Sequence, residues 1–282
     1  MTPMTPTNVL SRCFLPIVSV LFFACEFQTS AAESPSTAET VAWRKGADQG
    51  DADAQYHLGM HYLSGAGLIE DKWIEYLKKP KTESHNYGHY IAPADDFLAN
   101  EKVCSAAESN EKAVEWFRKS ADQGHAGAQL QMGSYYTKGC NVPSDLWGSK
   151  YNFEINDTEA VKWYRKAAEQ GNAVGQFELG FHYYTGKGVP KSDDEQFKWF
   201  RKAADQGQVD AQEMLGICYA SGVGVTKDVV LAYMWFSLAT AGGKEGAMER
   251  REGMTQWMSQ KDIAKAQKLS GEWKPTTGNN AP

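Results

Sequence analysis

Glu159 to Pro190 reads EAVKWYRKAAEQGNAVGQFELGFHYYTGKGVP, and the same pattern returns with changes along most of the chain. It reappears as KWFRKAADQGQVDAQEMLGICYASGVGV over 198–225, as EWFRKSADQGHAGAQLQMGSYYTKGC over 115–140 and as AWRKGADQGDADAQYHLGMHYLSGAG over 42–67. The glycine after the helix-ending Gln falls at Gly50, Gly124, Gly171, Gly207 and, in the same phase, Gly243, giving spacings of 74, 47, 36 and 36. A period of 36 is the rule, and the first two intervals carry insertions of 38 and 11 residues. Self-similarity at such a period predicts a stack of helical repeats.

One unit shows why. Trp163, Tyr164, Ala167 and Ala168 recur at helical spacing between Lys162, Arg165, Lys166 and Glu169, so one stripe is apolar and the rest solvated. Gly171 stands where a left-handed cap closes the helix. The following segment, 175–184, carries Leu179 and Tyr183 with Gly180 between them, and small residues recur at Ala54 and Gly59, Ala128 and Gly133, Ala211 and Gly216. Glycine inside a helix costs about 1 kcal/mol against Ala, so its return predicts close helix packing. A turn such as Gly186-Lys187-Gly188-Val189-Pro190 then stops one helix before the next.

The A-x-x-x-L-G-x-x-Y run, the G-x-G-V turn and the W-(F/Y)-x-K-A-A-(D/E)-Q-G run resemble the Sel1-like repeats, relatives of the tetratricopeptide repeats, from about Thr40 to Lys274. Asp228 to Ala239, DVVLAYMWFSLA, is similar to the last full repeat of many members, and Gly253 to Trp273, with Trp257, Ile263, Ala266 and Leu269, reads as a capping helix over the bare end of the stack. Val174-Gly175 departs from the pattern, which elsewhere has Ala at the second position. The implied fold is an all-α, right-handed α/α solenoid with two inter-helix insertions and a C-terminal cap. Its expected divisions are an N-terminal half repeat at 33–50, repeats at 51–124, 125–171, 172–207 and 208–243, capping helices at 244–274 and a disordered tail at 275–282.

Residues 1–32 begin with Arg12 in a weakly charged stretch and continue with an apolar run from Cys13 to Cys25, too short to span a bilayer. Ser30-Ala31-Ala32 fits a small-residue cleavage site, so the reading is a secretory signal peptide cut near Ala32; lipidation at Cys25 is the alternative, with Phe22 and Phe23 fitting poorly. The product is expected in the periplasm or outside the cell, with no membrane span. The net charge of −6 argues against nucleic acid as a partner.

Cys104, Cys140 and Cys218 remain after cleavage, in a compartment that permits disulfides. Cys104 ends the first insertion and Cys140 begins the second, so a Cys104–Cys140 bridge is expected, worth about 3–4 kcal/mol on the loop-entropy model. Cys218, inside a helix, reads as a small buried hydrophobe.

The insertions, about 72–110 and 141–157, interrupt the turn between the two helices of consecutive units and should emerge along one edge. The first contains Trp73, Tyr76, Tyr87, Tyr90 and Phe97, and the second Trp147, Tyr151 and Phe153. Such aromatics either form a satellite core or meet a partner.

Catalytic signatures are weak. His57 and His61 are four apart as in a zinc pair, but Leu58 stands where a zinc protease needs its Glu. His182 is the repeat equivalent of His61, which points to a repeat surface instead of a ligand. His85 and His89, with Asp95 and Asp96, are a weaker candidate for zinc. There is no G-x-S-x-G elbow, phosphate loop or paired-cysteine motif.

No catalytic residue, metal or cofactor is therefore assigned, and the expected function is binding of a protein partner by a chain that is monomeric when unbound. Stacked helix pairs present a concave face. Repeat alignment places His57 and His61, Gln131 and Tyr135, and Glu178 and His182 on it, with Trp147, Tyr151 and Phe153 alongside. The resemblance implies an adaptor or regulator of envelope processes, or an immunity protein that neutralises a secreted toxin such as a phospholipase. The alternative is a cell-wall or β-lactam hydrolase like the cysteine-rich relatives, although those carry a cysteine pair in each repeat.

Overall fold

A computed structural model describes residues 37–67, 71, 106–139 and 154–276. Both insertions, the N-terminal segment, Cys104 and Cys140 lie wholly or mostly outside the described residues. Among the described residues there are eleven helices and no strand. These are α1 (Thr37–Asp48), α2 (Ala52–Leu63), α3 (Ala106–Asp122), α4 (Ala126–Lys138), α5 (Asp157–Glu169), α6 (Ala173–Thr185), α7 (Asp193–Asp205), α8 (Val209–Ser221), α9 (Val229–Ala241), α10 (Glu245–Met254) and α11 (Gln260–Glu272). The fold is an all-α solenoid of helix pairs. In each pair the first, or A, helix carries the L-G-x-x-Y run and the second, or B, helix the tryptophan run.

The helices fall into two compact units, one holding the described residues up to Trp116 and the other those from Phe117 onward. In the first, Leu58, Tyr62, Ala113 and Val114 are buried, and the Ser109 hydroxyl donates to the Tyr62 carbonyl.

In the second unit the repeat rules can be read atom by atom. The A helices begin on side-chain caps: Asn172 Oδ1 accepts from the Gly175 N–H at 2.8 Å, and His125 Nδ1 from the Ala128 N–H at 3.0 Å. B helices do the same, Asn156 capping Glu159 at 3.0 Å and Ser192 capping Glu195 at 3.3 Å. The helix-interior glycines are contact points: a Cβ on Gly180 would lie 2.8 Å from the Phe200 ring, and one on Gly216 2.7 Å from Phe236. Each A helix thus receives the aromatic ring of its own B helix, which is the packing reason the recurrent glycine implies.

A second recurrent contact is polar. The glutamine that follows the small residue, Ala or in α6 Gly175, is buried one turn into each A helix. Gln176 Nε2 donates to the Ala168 carbonyl at 3.1 Å, and Gln129 Nε2 to the Ala121 carbonyl at 3.3 Å, satisfying acceptors in the last turn of the preceding B helix. The end of the same repeat's B helix closes the chain of bonds, since Gln206 Nε2 donates to Gln176 Oε1 at 2.8 Å and Gln170 Nε2 to Gln129 Oε1 at 2.7 Å.

The capping helix expected over Gly253 to Trp273 begins later, at Gln260. α10 ends at Met254, and α11 then packs on α9, with Ala266 buried and Ile263 and Leu269 against Val230 and Tyr233. Trp257 sits in the turn between the two helices and is 85% exposed, outside the packing. Nor is the chain free from residue 275: the Thr276 N–H donates to the Asp205 carbonyl at 2.8 Å.

Candidate functional site

The residues assigned to a partner-facing surface divide by burial. His57 is exposed and stacks on Trp43 with ring centroids 5.0 Å apart. Tyr135 and Glu178 are half-buried, and the Tyr135 ring lies 6.3 Å from that of Phe117. His61, Gln131 and His182 are buried, which corrects their placement on an open face. The physical reason is the same for both histidines: each packs against an aromatic ring of a neighbouring helix. His61 meets Trp43 edge-on at 6.4 Å. His182 lies 5.5 Å from Tyr164, with Nδ1 2.8 Å from the Lys187 carbonyl. Cys218 fills this position in the next unit and is buried too. Trp147, Tyr151 and Phe153 lie outside the described residues.

The open surface of the A helices is instead an aromatic row on α6. Val174, Phe181 and Tyr184 are 37%, 39% and 44% exposed. Phe177 lies beneath them, 6.2 Å from Phe181, and Phe181 lies 6.0 Å from Tyr184. The Lys191 ammonium sits 5.9 Å from the Tyr184 ring. Spacings of three and four were visible in the sequence, but Leu179 and Tyr183, which face inward, drew the apolar assignment. On α8 two of the corresponding positions, Asp210 and Glu213, are charged, and the other two are Ile217 and Ala220. Lys244 Nζ pairs with Asp210 at 2.6 Å, and Arg250 donates to Glu213.

Glu178 stands at the edge of this row. Burial pushes its carboxyl above the ordinary range and Asp210 adds to the shift, while Lys138 opposes it. A carboxylate kept where it is costly to ionise is a candidate contact for an incoming donor.

In the first unit Asp71 accepts from Arg44 Nη1, Tyr62 Oη and Lys112 Nζ, each at 2.6 Å. The carboxyl is held low by Lys112, Tyr62 and Arg44 against the opposing effect of burial, and the Tyr62 phenol is pushed up to about 12 by burial and Asp71. Asp71 is thus fully occupied in binding the helices together. Burial raises the Cys218 thiol to about 11, leaving it protonated and unreactive at neutral pH. Among the described residues no group of three or more His, Cys, Asp or Glu could hold a metal, and no helix is long and apolar enough to cross a membrane. His85, His89, Asp95 and Asp96 fall outside the described residues.

The Sel1 repeat family pattern matches residues 52–72, 107–125, 148–172, 173–208 and 209–244. Among solved structures, a Sel1 repeat protein from Oxalobacter formigenes is 26% identical, with a TM-score of 0.52, over 86% of this chain and 78% of the other. A protective antigen of uropathogenic Escherichia coli displaying an SLR fold is 26% identical over 83% of this chain and 55% of its own, with a TM-score of 0.43. Cysteine-rich protein B of Helicobacter pylori is 27% identical over 44% of this chain and 95% of its own, with a TM-score of 0.34. A search of curated proteins gives no match. Sel1-repeat proteins generally act through protein–protein interaction and are typically non-catalytic. The recurrent caps, glycine contacts and matched repeats together place this chain in the Sel1 repeat family.

Proposed function

We propose that the chain is an exported protein-binding scaffold, cleaved near Ala32 and working in the periplasm or outside the cell, that grips a protein partner on the A-helix face of α6 and α8. The observation that carries this is the juxtaposition of exposed Val174, Phe181 and Tyr184, seated on Phe177, with Glu178 and the Asp210–Lys244 pair. Interface centres favour aromatic anchors ringed by polar groups. Tyr135 extends the same assignment to α4, His57 is assigned separately as a partner contact of the first unit, and Trp147, Tyr151 and Phe153 are assigned as further partner contacts from the second insertion. The partner is an envelope protein or a secreted toxin, and the free chain is a monomer.

The test is affinity capture from periplasmic extract with the mature chain beside a Phe181→Ala, Tyr184→Ala double variant. One partner captured by the first and lost, about 100-fold or more, with the second supports the face assignment. Equal capture by both removes it. Rescue of growth when the chain is co-expressed with a toxin it captures distinguishes immunity from an adaptor role.

A further inference from the structure

The A-helix face of α6 holds an acid that no side chain of the described residues pairs with. The helix reads AVGQFELGFHYYT, and Glu178 is its only carboxylate. The same position is uncharged on either side, Gln131 on α4 and Met214 on α8. On α8 the acids are matched by the chain's own cations, Asp210 by Lys244 at 2.6 Å and Glu213 by Arg250. Among the described residues no hydrogen bond or ion pair reaches the Glu178 side chain. Lys138 of α4 and Asp210 of α8 act on it only at a distance, and with opposite signs.

The surroundings of this acid are aromatic. Glu178 is half-buried, and the exposed Val174 and Phe181 are its neighbours four residues before and three after, on the same side of the helix. Phe181 stands between Glu178 and Tyr184 along α6, seated on Phe177 at 6.2 Å and 6.0 Å from the Tyr184 ring. The row already takes a cation at its far end, where the Lys191 ammonium lies 5.9 Å from Tyr184. Among the described residues no cation lies over Phe181. An unpaired carboxylate, an exposed ring beside it and apolar side chains on either hand therefore adjoin one another on a single helix.

We propose that this surface reads an arginine of the partner protein, whose guanidinium lies across Phe181 and donates to the Glu178 carboxylate while its apolar neighbours rest on Val174 and Tyr184. The inference rests on the assignment of the α6 face to a protein partner and adds what that partner must carry. Arginine fits better than lysine, because a planar, delocalised cation stacks on a ring and donates to both carboxylate oxygens, whereas an ammonium is a point charge. Burial makes the Glu178 carboxyl costly to ionise by itself, and an incoming cation offsets that cost. A segment without the cation covers the carboxyl and leaves it unpaired. The position thus selects by rejection as well as by attraction.

The probe is a displayed library of random peptides of about twelve residues, panned on the immobilised mature chain; the most enriched peptide is then labelled with fluorescein and titrated by anisotropy. Enriched peptides are expected to share an arginine with an apolar or aromatic residue within about four positions of it. Replacing that arginine by glutamine, or Glu178→Gln in the chain, is expected to weaken binding about tenfold or more, and the two changes together no more than either alone. Folding of each variant is checked by circular dichroism. Arginine-free peptides whose binding the Phe181→Ala, Tyr184→Ala variant abolishes overturn the arginine inference and leave the face assignment standing. Peptides whose binding neither variant alters overturn both. A library that yields no binder overturns the arginine inference, and the face assignment is then decided by the capture experiment above. A concentration-dependent dimer that Glu178→Gln dissociates also overturns it, since a second copy would then be the occupant.

Discussion

The stretches α5–α6 and α7–α8, one period apart and each joining the B helix of one repeat to the A helix of the next, share caps and glycine contacts, yet the outward positions of their A helices differ. Val174, Phe181 and Tyr184 on α6 become Asp210, Ile217 and Ala220 on α8, whereas the charged positions Glu159, Lys162, Arg165 and Lys166 of α5 return unchanged in kind on α7. Inward, Leu179 and Leu215 are both fully buried, and Gly180 and Gly216 both lie against the ring of the following helix. The stack therefore constrains one set of positions and leaves the other free to vary. Function in such a chain is to be sought where neighbouring repeats disagree.

The largest effect is expected where the shared frame is broken. Gly186 and Gly188 both have positive φ, 75° and 72°. Their surroundings differ: a Cβ on Gly186 would meet nothing nearer than 3.6 Å, whereas one on Gly188 would run into the Asp157 carbonyl, as one on Gly224 would into that of Asp193. The G-x-G turn thus uses its first glycine for backbone conformation and its second for close approach to the preceding B helix. Gly186→Ala should cost about 1 kcal/mol and Gly188→Ala about 3 kcal/mol or more in urea unfolding. Equal costs would mean that the turn yields away from α5 without loss and that close approach is not what the second glycine serves.

A smaller effect tests the glutamine bonds. Gln176→Leu leaves the Ala168 carbonyl without its donor and takes from the Gln206 amide one of its two acceptors, the Gly171 carbonyl at 2.9 Å remaining, a loss of about 1–3 kcal/mol. The matching Gln212→Leu should cost less, because Gly242 stands where Gln206 does in the earlier repeat, so the Gln176–Gln206 bond has no counterpart there. Comparing the two by thermal unfolding reports what the hydrogen bonds of Gln176 add to the burial that both positions share.

The frame was legible in the sequence because its causes are local: an amphipathic stripe, a cap glycine and a small residue at fixed spacing. The outward face was not. Repeat alignment equates His61 with His182 but is silent on which side either one faces, and their polarity suggested a surface where packing against Trp43 and Tyr164 buries them. The buried glutamines escaped for a similar reason, since a polar Ala-Gln pair reads as solvated until the orphan carbonyl it satisfies is seen. The folding of α11 onto α9, and the anchoring of Thr276, depend on contacts between segments far apart in sequence, which no period encodes.

The smallest expected effect concerns Glu178, where α8 has Met214 and α4 has Gln131. Its carboxyl is raised in the folded state, chiefly by burial, so between the unfolded and folded values the native chain holds a proton that the unfolded chain has lost. Stability from this group is therefore complete below the ordinary Glu range, falls as pH rises through the folded value and stays low above it. Glu178→Gln removes the ionisation. The variant should melt with the parent near about pH 4 and above it at neutral pH, by about a few degrees or less. A neutral-pH melting temperature below the parent's would mean instead that Lys138 holds the carboxylate. If the variant is more stable and also binds its partner less well, the position trades stability for recognition, which is the outcome expected of a repeat whose outward residues are kept for binding and not for the stack.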